Sequence, residues 1–185
     1  MTRQRTSAIV ATVVATLAVA SFAVAQTPSK PTPGAKAGAG ADAEFMNSAA
    51  MAGMAEVELG KLGVANATSS EVKQFAQRMV DDHSKANDEL KALASQKSVT
   101  LPTAVDAKHK AVHDKLAKSK GPAFDAAFMA QMVSDHQAAV TLFERESKSG
   151  QDADAKAWAT KTLPTLREHQ KMAKDLHAKA GRGEK

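Results

Sequence analysis

Apolar residues return every three or four positions through four long stretches and one short one, the spacing that lines one face of a helix. The first stretch, from about Asp42 to Ala67, sets Phe45, Ala49, Ala52, Glu56, Leu59 and Gly63 on one stripe, and Asn66 to Ser70 breaks it. A second starts from a Ser69 or Ser70 cap and runs to about Lys97, with Phe75, Met79, His83, Ala86, Leu90 and Leu93 facing inward. A third, from about Ala123 to Ser149, turns Phe128, Met129, Met132, His136, Val140 and Phe143 inward and stops at Gly150. The fourth, from about Asp152 to Ala180, carries Trp158, Leu166, His169, Met172 and Leu176, with Pro164 expected to kink it near one end. Between the second and third, Ser98 to Pro122 reads as a long connection holding a short helix near Thr103 to Lys118. It is opened by Leu101-Pro102-Thr103 and closed by Gly121-Pro122.

These segments are rich in Ala, Lys, Leu, Met and Glu and poor in β-branched residues, so the chain reads as all-α. Four long helices with one long second connection predict a ferritin-like, up-down-down-up four-helix bundle, with a short crossover helix between the second and third long helices. A weak internal repeat agrees: Met79-Val80-Asp81-Asp82-His83 resembles Met132-Val133-Ser134-Asp135-His136.

Ahead of the helical region, Arg3 and Arg5 precede an apolar run from Ala8 to Ala20 and then Ala23-Val24-Ala25, the pattern of a cleavable export signal. The run is shorter than the ~20 apolar residues of a membrane span. Residues 1–25 are therefore expected to be a signal peptide and 26–41, rich in Pro, Gly and Ala, a flexible tether. Residues 42–180 then form the bundle domain and 181–185 a disordered tail, and the mature chain is expected in the periplasm with no transmembrane segment. Without cysteine, stability rests on packing rather than on disulfides. Removing Arg3 and Arg5 lowers the formal charge from +5 to +3. Interleaved charges, one Trp and no Tyr leave little equipment for nucleic acid. The partners that remain are a second copy of the chain or another envelope protein.

Candidate chemistry lies in three acid-histidine pairs, Asp82-His83, Asp135-His136 and Glu168-His169. Each histidine falls near the middle of its helix on the apolar stripe, and so does Glu56, which places all four near one layer at ~1.5 Å rise per residue. Buried ionisable groups must pair, bind water or bind a cation. Three imidazoles and a carboxylate suit zinc, iron, nickel or copper, making Glu56, His83, His136 and His169 candidate metal ligands. A metal-free hydrogen-bond network that fixes bundle register is the competing expectation. Asp82, Asp135 and Glu168 project about 100° from their histidines and are candidates to support a neighbouring imidazole. Met79, Met132 and Met172 lie one turn from the histidines, as core filler or as thioethers favouring copper.

A di-iron centre would need Glu-x-x-His, but Val80, Val133 and Leu166 stand three residues before the histidines. His109 and His113 form an i, i+4 pair on the short helix that reads as surface, as does His177. No acyl-transfer triad, phosphate loop or Cys-x-x-Cys is present.

The segments Phe45-Met46, Gly53-Met54-Ala55-Glu56-Val57-Glu58-Leu59-Gly60, Phe75-Ala76-Gln77-Arg78-Met79-Val80, Asp82-His83, Asp135-His136-Gln137 and Leu163-Pro164-Thr165-Leu166-Arg167-Glu168-His169 closely resemble exported bacterial proteins of domain-of-unknown-function family 4142. The resemblance spans about Ala43 to Leu176 and implies a ferritin-like fold without implying an activity. Two functions stay open: a metal-binding protein for storage, buffering or stress protection, and a non-catalytic interaction or structural module of the envelope. An oxidase-type enzyme would need the bridging carboxylates that are missing.

Overall fold

Five helices make up the computed structural model, which describes residues 37–181: α1 (Ala37–Asn66), α2 (Ser70–Gln96), α3 (Ala107–Ala117), α4 (Gly121–Ser149) and α5 (Ala153–Gly181). No strand occurs among the described residues. The expected signal peptide, most of the expected tether and residues 182–185 lie outside them.

Local chemistry sets the helix ends. Ser69 caps α2 by accepting from the Val72 amide at 3.4 Å, and Asp106 caps α3 by accepting from the His109 amide at 2.9 Å. Pro122 occupies the first turn of α4, where a missing N–H costs nothing, and Gly121 takes φ 61° beside it. The Asp152 carboxylate accepts from the Asp154 and Ala155 amides at the start of α5.

Two expectations need correction. First, α1 begins at Ala37 instead of Asp42, so residues 37–41 of the expected tether are helical. Two glycines there, Gly38 and Gly40, read as tether but alternate with alanines that favour helix. Second, α3 begins at Ala107 instead of Thr103, because the capping carboxylate is Asp106. As expected, the fourth stretch is one long helix, α5, with Pro164 inside it on the exposed face.

Contacts at the two ends of the bundle establish its direction. At one end the Asp42 carboxylate, at the start of α1, accepts from the Gln151 and Asp152 amides between α4 and α5, at 2.9 and 2.8 Å. Lys97, at the end of α2, pairs there with Asp152 and Asp154 at 2.7 and 2.6 Å. At the other end the Asp125 carboxylate of α4 accepts from the Thr68 and Ser69 amides and from the Thr68 hydroxyl, between α1 and α2. With α1 up, α2 and α4 run down and α5 runs up. The 97–120 connection must therefore travel the length of the bundle, which is the single-crossover order of ferritin-like folds.

Hairpins α1/α2 and α4/α5 pack along their lengths, and α1 also meets α4 while α2 meets α5. Round the bundle the corners thus read α1, α2, α5, α4, with α1 diagonal to α5 and α2 diagonal to α4. The backbones of α1 and α2 close together at Gly60, where an added Cβ would lie 3.0 Å from the Ala76 carbonyl oxygen and 3.2 Å from the Val80 nitrogen. Two apolar clusters fill the interior. Phe45, Phe143 and Trp158 anchor one, with ring centroids 5.1–5.9 Å apart. Phe75, Phe124, Phe128, Met129 and Met132 anchor the other. No helix among the described residues is long and apolar enough to cross a membrane.

Candidate metal centre

Between the two apolar clusters lies a polar layer whose level follows from residue counting. Measured from the Asp42 end, Glu56 is fourteen residues along α1, His83 fourteen back from Lys97, His136 fourteen back from Gly150, and His169 seventeen along from Asp152. At ~1.5 Å per residue these four side chains start within about 5 Å of one height. All are buried: Glu56 is 5 % exposed, His83 7 %, His136 1 % and His169 0 %.

The three imidazoles converge. Their ring centroids form a nearly regular triangle with sides of 5.5, 5.5 and 5.3 Å. One nitrogen from each ring lies within 4.8 Å of one nitrogen from each of the others. The remaining nitrogens of two rings are committed elsewhere. His136 Nδ1 donates to the Met132 carbonyl at 3.0 Å, and His169 Nε2 donates to Asp82 Oδ2 at 2.8 Å. Since a carbonyl and a carboxylate only accept, each bond fixes the tautomer and leaves a lone pair on His136 Nε2 and His169 Nδ1. Those two atoms and His83 Nε2 are buried without a hydrogen-bond partner.

Electrostatics keeps the rings neutral, the form that ligates. Burial pushes the His83 imidazole down to about 3, helped by His136 and His169, and pushes His136 down to about 4, helped by His169. Burial also lowers His169, against the opposing pull of Asp82.

Glu56 faces inward, as its stripe implies, but it is not a fourth member of the cluster. Its Oε1 lies 3.8 Å from His136 Nδ1, the side of that ring turned away from the free Nε2. The three-histidine cluster does not extend to the Glu56 carboxylate. The corner arrangement explains this: the triad gathers around α5 between α2 and α4, while Glu56 projects from α1 at the opposite corner and meets the back of the His136 ring. Burial, reinforced by the Asp135 carboxylate, holds Glu56 well above the usual carboxylate range, which favours its protonated form.

The flanking candidates separate into different roles. Asp82 alone among the three paired acids supports a histidine of the triad, one from a neighbouring helix. Asp135 accepts from Gln131 on its own helix, and Glu168 pairs with Arg78. Met132 contributes through its carbonyl, while its side chain and that of Met79 are fully buried in the apolar cluster. Met172 Sδ sits 3.4 Å from Arg78 at the edge of the bundle. On α3, His109 turns to Asp106 at 2.7 Å and His113 to Asp114 at 3.4 Å, so the pair does not converge.

Sequence reasoning missed two features. The carbonyl supporting His136 belongs to residue i−4 and carries no side-chain signal. Arg78 reaches both Asp82 and Glu168, and its place four residues before Asp82 was the available clue.

Neither curated proteins nor solved structures provide a match to the chain. A family match does exist, running over residues 27–176, which takes in α1 to α4 and most of α5, with all three histidines of the triad. The chain accordingly belongs to the family described as Domain of unknown function (DUF4142).

Proposed function

We propose that this protein is an exported binding protein that holds one transition-metal ion between His83 Nε2, His136 Nε2 and His169 Nδ1. The observation that carries this reading is a convergence of three buried imidazoles, each keeping one buried nitrogen without a hydrogen-bond partner and two of them with the tautomer already set for ligation. A network serving only to fix register would pair these atoms. Here His136 and His169 have their protons pointing outward, so only His83 can donate into the cluster, and to one neighbour at a time. Each polar atom left unsatisfied in a core costs about 1–3 kcal/mol, a cost that coordination would remove.

The geometry fits the ion. Imidazole nitrogens bound at 2.0–2.1 Å in a tetrahedral site lie about 3.4 Å apart. The rings therefore need to close pairwise by at most about 1.4 Å from their present spacing. With Glu56 on the far side of His136, the donor set is three neutral imidazoles, which suits zinc and copper better than iron or manganese. The Asp82–His169 bond is the carboxylate support that metal-bound histidines use to fix their orientation. A single buried site without bridging carboxylates fits storage, buffering or stress protection better than oxygen activation. Export rests on the Arg3/Arg5, Ala8–Ala20 and Ala23-Val24-Ala25 pattern.

Equilibrium dialysis against zinc and copper, compared with a His83→Gln/His136→Gln/His169→Gln variant, tests the proposal. It expects about one ion per chain in the parent and none in the variant. A helical parent that binds neither ion would instead leave the layer as a structural feature.

A further inference from the structure

A fully buried triad needs a route to solvent, and the four seams of the bundle differ in whether they offer one. The α1/α2 seam is shut by backbone contact at Gly60. The α4/α5 seam is a long hairpin bridged on the outside by Arg167 to Glu144 and by Gln170 to Gln137. Over the α1/α4 seam lies α3, which touches both helices and brings the charges of Lys108 and His109 near enough to act on the Asp135 carboxylate. The α2/α5 seam is neither that of a hairpin nor the one under α3, and side chains bridge it.

At the level of the triad the bridge is Arg78, whereas Lys161 with Glu89 and Lys179 with Glu71 close the same seam toward its two ends. From α2, Arg78 clasps Glu168 of α5 with its two terminal nitrogens at 3.0 and 2.9 Å, and its Nε reaches Asp82 Oδ2 at 3.2 Å. The same Asp82 oxygen accepts from His169 Nε2, so an unbroken chain of contacts runs from the Arg78 guanidinium to the triad. His83, which stands beside Asp82, is the most exposed ring of the three at 7 %. Arg78 itself is 38 % exposed. Ion pairs this exposed are weak and exchange readily, which suits a movable cover better than a lock.

We propose that Arg78 gates a cation portal between α2 and α5, in which Asp82 and Glu168 receive a divalent ion as the guanidinium swings away and pass it to His169 and His83. This rests on the metal-binding reading for the identity of the cargo, but the cover itself is independent of it. The guanidinium and an incoming cation compete for the same two carboxylates. Loading therefore requires the Arg78 pairs to break, and once the ion has passed inward the clasp re-forms behind it.

Two measurements on the parent and on Arg78→Ala test the gate. Stopped-flow uptake of cobalt(II), followed by its visible bands, is expected to be about tenfold faster or more in Arg78→Ala, the scale on which local charges move association rates. The final stoichiometry should be unchanged. In metal-free protein, modification of His83 and His169 by diethyl pyrocarbonate, read by mass spectrometry, is expected to accelerate likewise, with His136 little affected. Equal rates in both assays overturn the gate. A parent that takes up no cobalt at equilibrium removes the metal reading, and the modification rates still decide whether Arg78 covers the imidazoles. Circular dichroism of Arg78→Ala confirms that the fold is retained before rates are compared.

Discussion

His169 donates from Nε2 to the Asp82 carboxylate across the α2/α5 seam, and the 2.8 Å bond leaves Nδ1 as the buried nitrogen with a free lone pair. One hydrogen bond thus settles tautomer, ring orientation and which atom can ligate. Replacing Asp82 by Ala removes that constraint. Zinc affinity, measured by competition with a chromophoric chelator, is expected to fall about 10- to 100-fold, the usual cost of losing such a support. An unchanged affinity would mean that packing alone holds the ring.

Packing between α1 and α2 makes a second expectation that runs against helix propensity. Alanine is better than glycine inside a helix by about 1 kcal/mol. At Gly60, however, the added methyl would meet the Ala76 carbonyl oxygen and Val80 nitrogen at 3.0 and 3.2 Å, backbone atoms that cannot swing aside. Overpacking of this kind costs about 1–3 kcal/mol, so Gly60→Ala should be net destabilising in urea denaturation. At Gly40 nothing lies within 4 Å, and there Gly→Ala should stabilise by about 0.5–1 kcal/mol. Equal effects at the two sites would refute the close approach.

Much of this architecture could be read from residue spacing. Level along a helix axis follows from counting, which is why His83, His136 and His169 were foreseen in one layer and why Glu56 was expected to share it. Lateral position does not follow from counting. Whether Glu56 meets the free or the committed side of the His136 ring depends on which corner each helix occupies, and that is decided by end contacts such as Asp42 with Gln151 and Asp125 with Thr68. The start of α1 was misread because Gly38 and Gly40 carry low propensity, while the alanines beside them and the Asp42 anchor are what the helix follows. A tautomer set by a backbone carbonyl, as in His136, has no signature in the side-chain sequence.

Opposed titrations should shape the pH dependence of stability in metal-free protein. His83 and His136 are depressed to about 3 and about 4, so the unfolded chain binds more protons below its ordinary histidine value near 6.5. Their contribution is complete above that value and is lost as pH falls toward 4 and 3. Glu146 behaves in the opposite way: burial and the neighbouring Asp42 carboxylate push it up to about 7. Its contribution is complete below the ordinary glutamate value near 4.5 and is lost as pH rises through 7.

Urea midpoints between pH 4 and 8 should therefore decline on both sides of a mildly acidic optimum. In Glu146→Gln the decline from pH 5 to 7 should flatten, by up to about 1.4 kcal/mol per pH unit, while the acid limb persists. A parallel shift of the whole curve would contradict the assignment.

Bound ion should also stabilise the fold by mass action. At free zinc 100 times the dissociation constant, the unfolding free energy is expected to rise by about 2.7 kcal/mol, and the His83→Gln/His136→Gln/His169→Gln variant should show no rise. Zinc that stabilises both proteins equally would place the binding elsewhere, for instance at His109, His113 or His177.

The most direct measurement follows the six imidazole side chains by long-range ¹H–¹⁵N NMR during a zinc titration. Binding as described moves the ¹⁵N resonances of His83 Nε2, His136 Nε2 and His169 Nδ1 to metal-bound values, with His136 Nδ1 and His169 Nε2 remaining protonated. Resonances that stay put for these three nitrogens while zinc is in excess, or that move only for His109, His113 and His177, would contradict the central claim.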